Sequence, residues 1–186
     1  MNRPLFLFVG RSASGKTSVA NMLEKDGYTQ IASYTTRPPR YDGEIGHTFV
    51  TDEEYDKLEN IMASTLYNGH RYCTTLEQVQ KADIYVVDIP GVETLMENYE
   101  KLNRAVYVLY FSVDVHHRIK RMLDRGDSDT QIVGRLLNDE KEDWLDQLLD
   151  LDGYRSRFAL KIGAANEPLN TVYSRVKEYM EEKHND

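Results

Sequence analysis

The feature that most constrains the fold of this chain is a complete G-x-x-x-x-G-K-[S/T] motif, which reads GRSASGKT at positions 10–17. It follows an apolar run over residues 5–9, which predicts a buried strand, and it leads into residues 17–25, whose apolar spacing predicts a helix. In this context the motif binds phosphate, because backbone N–H groups and the helix N-terminus face one anion. The motif therefore predicts a phosphate-binding loop (P-loop). The alternative is a chance match in a Gly/Ser-rich turn.

The P-loop predicts ATP as a substrate and Mg²⁺ as its accompanying ion. Lys16 would reach the β- and γ-phosphates, and the hydroxyl of Thr17 would ligate Mg²⁺. The loop residues expected to contact ATP are Ser12, Ala13, Ser14, Gly15, Lys16 and Thr17.

The formal net charge of −8 argues against a nucleic acid polymer as partner, because such binding relies on neutralising many phosphates. The arginines nevertheless form two groups, Arg37 with Arg40 and, further along, Arg118, Arg121, Arg125 and Arg135. Local basic pockets in an acidic chain suit a small phosphorylated ligand. No apolar run approaches the length of a bilayer span, and a single cysteine allows no intramolecular disulfide. We therefore expect a cytoplasmic protein that binds no membrane.

Apolar, β-rich runs alternate with amphipathic stretches along the chain. This alternation predicts one α/β domain, residues 1–186, in which helices cover both faces of a parallel sheet. The predicted core strands are 4–9, 84–88, 106–111 and 158–162. The predicted helices are 15–26, 92–100, 115–124, 128–149 and 168–182.

Residues 33–74 break this alternation. The segment lacks long helical periodicity apart from 52–60, and its Asn68-Gly69 pair between short apolar stretches predicts a tight hairpin. We interpret the segment as a small, partly β insertion above the ends of the core strands, where ligands bind in such folds. The core would then comprise residues 1–32 and 75–186.

A second phosphate site is predicted by the stretch SYTTRPPR at positions 33–40. Arg37 and Arg40 lie three residues apart, with hydroxyl side chains just before them. Guanidinium groups bind phosphate oxygens in a bidentate manner, so this pattern suits a phosphate clamp. The alternative is a solvated basic turn, which the preceding P-loop makes the weaker interpretation.

With both phosphate sites, the chain resembles the guanylate kinase family, within the P-loop nucleoside monophosphate kinases. Further support comes from Gly43-Glu44, from Phe49-Val50, and from the stretches 69–74, 87–92 and 121–126. The resemblance implies a three-layer α/β P-loop NTPase fold with a monophosphate-binding insertion and a lid at about 126–135. It implies ATP-dependent phosphoryl transfer to a nucleoside monophosphate, with GMP or dGMP as the first candidate. We expect a monomer or a homodimer.

The resemblance also implies the acceptor site. The acceptor phosphate would be held by Ser33, Arg37, Arg40 and Tyr72. His47 stands where the family has a phosphate-binding tyrosine, and Thr74 supplies a hydroxyl at a position that contacts the base.

Three arginines receive roles by the same resemblance. Arg121 would contact ATP. Arg125 and Arg135 would lie in or beside the lid and, with Lys16 and Mg²⁺, neutralise charge on the transferred phosphoryl group. The alternative is a charged helix face that pairs with acidic neighbours, which we favour for Arg118.

Asp88 follows a predicted buried strand. By the resemblance it would act near Mg²⁺ or the acceptor phosphate. The alternative is a carboxylate that caps the helix beginning near Gly91.

The chain departs from the family at the residue that reads the base. Guanylate kinases have a glutamate nine residues before the phosphate-binding tyrosine, whereas this chain has Ala63 there. A methyl group accepts no hydrogen bonds from guanine. Three explanations are open: another acid such as Glu59 or Glu77 supplies the carboxylate, the enzyme uses another nucleotide, or the acceptor is a ribosyl phosphate, as in ribose 1,5-bisphosphate kinases.

Two further classes of protein remain to be weighed. Guanylate kinase-like domains also serve as protein-interaction modules with eroded ATP sites, and the intact Lys16 and Thr17 argue against that class. A regulatory NTPase would hydrolyse ATP without an acceptor.

Overall fold

The computed structural model describes residues 3–140, 158–163 and 167–185. The strands in these ranges are β1 (Leu5–Val9), β2 (Ser33–Thr35), β3 (His47–Phe49), β4 (Ile61–Tyr67), β5 (His70–Thr75), β6 (Ile84–Val86), β7 (Val106–Ser112) and β8 (Phe158–Gly163). The helices are α1 (Lys16–Lys25), α2 (Asp52–Tyr55), α3 (Leu76–Lys81), α4 (Ile89–Glu97), α5 (Val115–Asp124), α6 (Asp129–Glu140) and α7 (Leu169–Asn185), with a short 3₁₀ turn at Tyr99–Lys101.

The core sheet has the strand order β6-β1-β7-β8, and its ladders are all parallel. Strand β1 is central and entirely buried. Its alternate side chains point to opposite faces, as the pleat of a strand requires. Phe6 and Phe8 belong to an apolar cluster with α1 and α7, whereas Leu5 and Leu7 belong to a cluster with α4. Helices therefore cover both faces of a parallel sheet, which confirms the predicted three-layer α/β fold.

A second sheet has the order β3-β2-β5-β4. Its β2–β3 ladder is parallel, and β5 runs antiparallel to both β2 and β4. Tyr67 pairs with His70 across the predicted hairpin, and the two residues between them, Asn68 and Gly69, both have positive φ. That conformation is the one a two-residue hairpin turn favours, so the Asn-Gly signal was correct.

Two predicted boundaries differ from the structure at the junction of β6 and α4, which were predicted as a strand over 84–88 and a helix over 92–100. The strand ends earlier and the helix begins earlier, at Ile89, directly after Asp88. Pro90 lies in the first turn of α4, where its missing N–H costs no helical hydrogen bond. Pro90 therefore lies within the first turn of the helix, whereas the sequence prediction began the helix after it, at residue 92.

Other boundaries moved as well. The helix predicted over 52–60 is the short α2, and the helix predicted over 128–149 corresponds to α6 in the described residues. The rest of that second prediction lies outside them. Among the helices that the structure describes, none is long and apolar enough to cross a membrane.

Candidate active site

The P-loop connects β1 to α1 in a conformation that its sequence dictates. Gly10 has φ of 151°, and a Cβ there would lie 2.5 Å from the carbonyl oxygen of Phe111. Gly15 has φ of 99° and caps the N-terminus of α1, while Ala13 also has positive φ. The loop thus approaches β7 too closely to leave room for a side chain at Gly10. The N-terminal turn of α1 lies at the centre of the loop, where its backbone N–H groups can face an anion.

Lys16 is the first residue of α1, and its side chain curls back over the loop. Its Nζ donates to the carbonyl oxygens of Gly10 and Arg11, the latter at 3.0 Å. Burial lowers the pKa of Lys16 to about 8, and the nearby carboxylates of Asp139 and Asp88 partly oppose that effect. The ammonium group is therefore held inside the loop, desolvated, where an anion would restore its ordinary pKa.

A carboxylate from outside the loop contacts it directly. Oδ1 of Asp139, near the end of α6, accepts hydrogen bonds from the backbone N–H and from the hydroxyl of Ser12, each at 3.1 Å. Oδ2 of the same residue accepts from Nη1 of Arg118 at 2.5 Å. Arg118 does pair with an acidic neighbour, as favoured from the sequence, but its side chain is only 3% exposed. The charge pairing expected for Arg118 is therefore present, but at a buried position between α5 and α6.

Arg121, on α5, contacts the same loop with its side chain. Its Nη1 donates to the carbonyl oxygens of Ala13 and Ser14, at 3.2 and 3.3 Å. Arg121 is thus placed at the predicted ATP-binding residues.

The acceptor clamp is organised by Glu44, whose role the sequence did not reveal. Nη1 and Nη2 of Arg37 donate to the two carboxylate oxygens of Glu44 at 3.1 and 2.8 Å, and the backbone N–H of Arg40 donates to the same carboxylate at 2.6 Å. Nε of Arg37 donates to the hydroxyl of Tyr72 at 3.2 Å. The hydrogen bonds from Arg37 lower the pKa of Glu44 to about 2, so this carboxylate is an anion at neutral pH.

Ser33 and His47 lie beside this clamp. Oγ of Ser33 and Nδ1 of His47 are 3.0 Å apart, and the rings of His47 and Tyr72 meet edge to face with centroids 5.6 Å apart. Burial, and then the positive charge of Arg37, lower the pKa of His47. The imidazole is therefore neutral at pH 7 and contributes a hydrogen-bonding group rather than a charge.

Asp88 is the N-cap of α4. Its Oδ1 accepts a hydrogen bond from the backbone N–H of Gly91 at 3.0 Å, which is the capping role considered from the sequence. Burial raises the pKa of Asp88, while Gly91, Thr65 and the charge of Lys16 act in the opposite direction. The same carboxylate is therefore close enough to the P-loop lysine to affect its titration. A role at Mg²⁺ stays a prediction.

The two lid arginines converge on one carboxylate. Asp127 bonds Nε of Arg125 at 2.8 Å and forms a second contact with that guanidinium, and Nε of Arg135 is 3.4 Å from Oδ2 of Asp127. The pair of arginines lowers the pKa of Asp127. The guanidinium groups of both arginines are thus held at Asp127, just before α6 begins.

A cavity of about 350 Å³ separates the acceptor clamp from α6. It is lined by Arg37, Arg40, Tyr67, Asn68, His70, Tyr72, Thr130, Gln131, Gly134 and Arg135. Residues of two predicted groups, the clamp and the lid, therefore face one space. Thr74 is not among them, because its side chain is buried and its hydroxyl bonds Oε1 of Gln78 at 2.9 Å.

The structure defines the surroundings of Ala63, the residue at which the chain departs from the family pattern. Ala63 pairs with Thr74 across the β4–β5 ladder and is fully buried in the apolar core. Of the acids considered as substitutes, Glu59 is exposed ahead of β4, and Glu77 is exposed and 2.6 Å from Nζ of Lys81. Both carboxylates thus belong to exposed residues, whereas Ala63 and Thr74 are buried.

Known proteins share both sequence and fold with this chain. No family model matches it. A guanylate kinase of Nitrosomonas europaea is 27% identical over 146 residues, which cover 72% of this chain and 71% of the relative. The crystal structure of guanylate kinase from Anaplasma phagocytophilum superposes with a TM-score of 0.59 at 17% identity, covering 100% of this chain and 89% of that chain. A gluconokinase from Sinorhizobium meliloti 1021 follows, with a TM-score of 0.52, 16% identity, and coverage of 99% and 95%. The two solved structures share the fold.

Proposed function

From the premise that this chain is a guanylate kinase-like protein, we propose that it is a phosphotransferase that moves the γ-phosphoryl group of ATP to a phosphorylated acceptor, as nucleoside monophosphate kinases do. The observation that carries the proposal is the shared cavity, in which Arg37, Arg40 and Tyr72 face Arg135 of α6. Two phosphate-binding groups on opposite walls suit a reaction in which one phosphoryl group passes between two phosphates.

The donor site of the proposed reaction is the P-loop. Its backbone N–H groups and the N-terminus of α1 would bind the β- and γ-phosphates, and Lys16 would turn from the carbonyl of Arg11 towards them. The side chain of Arg121, on α5, already contacts the loop at Ala13 and Ser14. Its guanidinium therefore needs little movement to contact the triphosphate.

Mg²⁺ is the cofactor of the proposal, and the residues present fit it. The hydroxyl of Thr17, one residue after the P-loop lysine, and the half-buried carboxylate of Asp88 would hold it together with the phosphates, since Mg²⁺ is commonly bound by few protein oxygens and substrate phosphates. When bound, the ion would supply charge neutralisation between the β- and γ-phosphates.

The acceptor site of the proposal is the arginine clamp. Glu44 fixes the guanidinium of Arg37, whose Nε in turn fixes the hydroxyl of Tyr72. The side chain of Arg40 is 57% exposed at the cavity, so it can reach an acceptor phosphate. Ser33 and the neutral His47 would add uncharged hydrogen bonds beside it. The guanidinium groups would bind a phosphate monoester both through their positive charge and through directed hydrogen bonds.

Catalysis in this proposal is electrostatic. Charge spreads over the equatorial oxygens of the transferred group, and preorganised cations stabilise it. Lys16 would supply one such cation from the donor side. Arg125 and Arg135 would leave Asp127 to supply two more as the lid closes, and closure would exclude the water that otherwise hydrolyses ATP.

GMP or dGMP is the first candidate acceptor, because the relative and a structural neighbour are guanylate kinases. A second candidate is another nucleotide or a ribosyl phosphate, as in ribose 1,5-bisphosphate kinases. That candidate is favoured by the buried Ala63 opposite Thr74, because no carboxylate at that place would accept the hydrogen bonds of guanine. The cavity itself is lined by side chains that suit phosphate and hydroxyl groups.

The test is a panel of phosphorylated acceptors with MgATP, scored for ADP and for the phosphorylated product. The panel contains GMP, dGMP, AMP, CMP, UMP, ribose 1-phosphate, ribose 5-phosphate and ribose 1,5-bisphosphate, and the Lys16→Ala variant is the inactive control. Acceptor-dependent ADP formation supports the proposal, whereas equal ATP hydrolysis with and without acceptor would identify a regulatory NTPase. No turnover with any acceptor would favour an interaction module.

We further propose that the chain acts in the cytoplasm as a monomer or homodimer, with ATP and a small acceptor as its partners. The described residues of one chain already include the P-loop, the clamp and the lid arginines. Light scattering of the active protein would decide between the two oligomeric states.

A further inference from the structure

Asp139 joins three parts of the site. It lies in the last turn of α6, accepts from the backbone N–H and the hydroxyl of Ser12, and accepts from the guanidinium of Arg118 on α5. The side chains of Asp139 and Arg118 are only 7% and 3% exposed. A buried carboxylate thus ties the P-loop to the two helices that follow β7.

Fold stability alone does not account for this choice of residues. A buried ion pair often contributes no more than an apolar pair of the same volume, because both charges are desolvated. An apolar pair would also join α5 to α6. What only the carboxylate provides is a hydrogen-bonded attachment to Ser12, inside the loop that is expected to bind phosphate.

The attachment is placed where it can set the geometry of the reaction. Arg135 lies four residues before Asp139, one helical turn away, and lines the cavity. Arg121 lies three residues after Arg118 and contacts the loop at the carbonyl of Ala13. Fixing Asp139 and Arg118 therefore fixes the helices that present both arginines.

We propose that Asp139 is a positioning residue, which anchors the C-terminal end of α6 to the P-loop so that, when the lid closes, Arg135 and Lys16 face the same transferred phosphoryl group. The inference rests on the proposed function. Loss of this attachment should lower kcat more than it changes the KM of either substrate, because misplacement of about 1 Å costs on the order of 10²-fold in rate. A competing role, as an internal anion that ATP must displace, predicts the opposite result, namely tighter ATP binding without Asp139.

The first test is the double variant Arg118→Met/Asp139→Leu, which replaces the ion pair by an apolar pair and removes the attachment to Ser12. We expect a Tm within a few degrees of wild type and a kcat lower by about 10²-fold, with the KM for ATP and for the acceptor changed by less than about threefold. Lys120→Met, at an exposed position of α5, is the control. Wild-type turnover in a stable double variant would reduce Asp139 to a structural role, and tighter ATP binding with normal turnover would make it a competing anion; either result overturns the proposal.

The second test does not depend on the double variant folding well. Ser12→Ala removes only the hydroxyl contact, because the backbone N–H of Ser12 still donates to Asp139, whereas Asp139→Ala removes the acceptor of both hydrogen bonds. The effect of Ser12→Ala on kcat should therefore be smaller in the Asp139→Ala background than in the wild type. Additive effects would overturn the proposal.

The third test does not depend on activity, so it separates this inference from the proposed function. Hydrogen exchange measured by mass spectrometry should show faster exchange in Asp139→Asn for peptides covering both residues 10–17 and residues 129–139. Unchanged exchange in residues 10–17 would overturn the proposal even in an active enzyme. Faster exchange of both segments in a protein with no transferase activity would support the attachment of Asp139 to Ser12 while rejecting the proposed reaction.

Discussion

Ala63 lies directly across the β4–β5 ladder from Thr74, and both side chains are fully buried. Residues that face each other across a ladder share one face of the sheet, and the next pair on that face is Thr65 with Tyr72 of the acceptor clamp. Ala63 is the residue that stands, nine positions before Tyr72, where the resemblance to guanylate kinases predicts a carboxylate that reads guanine. Glu77, one of the acids considered as a substitute, is exposed on α3 and paired with Lys81.

The first prediction is that GMP is not strongly preferred over AMP. Each guanine donor left without an acceptor in the site costs about 1–3 kcal/mol, so the binding advantage that a carboxylate gives to guanine is absent. We expect the two values of kcat/KM to agree within about tenfold. The Nitrosomonas europaea guanylate kinase, assayed in parallel, is the reference enzyme. A selectivity for GMP above about 10³-fold would mean that another residue reads the base.

The second prediction concerns the clamp. Arg40→Ala should raise the KM of the acceptor by about 10-fold or more and leave the KM of ATP nearly unchanged, because a hydrogen bond to a charged group contributes about 1.5–3 kcal/mol. Arg37→Ala should have a larger effect, since it also leaves the buried Glu44 without its bidentate partner. Steady-state kinetics with each substrate varied in turn measure both effects.

Arg71→Ala is the matched control for these variants. Arg71 is another arginine of the second sheet, but it pairs with Asp52 and Asp56 and does not line the cavity. Equal losses for ATP and acceptor in the clamp variants would show that Arg37 and Arg40 do not form an acceptor site.

The core of the fold could be read from the sequence because its signals are local. Strand β1 is buried on both faces, so it appears as a continuous apolar run, and the P-loop after it requires glycine at fixed places. Helix α5 was predicted with the bounds that the structure has. The start of α4 was misplaced because Pro90 and Gly91 are typical of loops as well as of capped helix starts.

The pairing of Arg118 with an acidic neighbour was expected from the sequence, but most other polar contacts of the site could not be read from it. Asp139 bonds Ser12 across 127 positions, and nothing near either residue indicates the other. Glu44 was noted only as part of a family motif, although its hydrogen bonds hold both clamp arginines. Long-range contacts of this kind depend on how helices and loops pack, which apolar periodicity does not specify.

The third prediction is that Lys16→Ala lowers kcat by at least about 10²-fold, because Lys16 would meet charge that grows in the transition state. The variant should fold normally. Removing the buried ammonium removes a group whose desolvation lowers its pKa to about 8, and so Tm should not fall. Lys25→Ala, at the far end of α1, is the control. Near-normal turnover of a folded Lys16→Ala protein would reject the P-loop as the donor site.

The fourth prediction is a pH dependence of stability that arises from Glu44. Its pKa in the folded protein, about 2, lies below the ordinary value of 4.5 because Arg37 and the backbone N–H of Arg40 donate to the carboxylate. A carboxyl whose folded pKa is depressed stabilises the protein fully above its unfolded pKa, and that contribution is lost as the pH falls towards the folded pKa. The wild type should therefore lose stability between about pH 4.5 and pH 2 more steeply than Glu44→Gln does. The exposed Glu93→Gln should follow the wild type. Urea unfolding at intervals from pH 6 to pH 2 measures these curves, and we expect Glu44→Gln to be less stable than wild type at pH 6 and to approach it near pH 2. Parallel curves for the wild type and Glu44→Gln would show that the pair of Glu44 with Arg37 contributes no net stability.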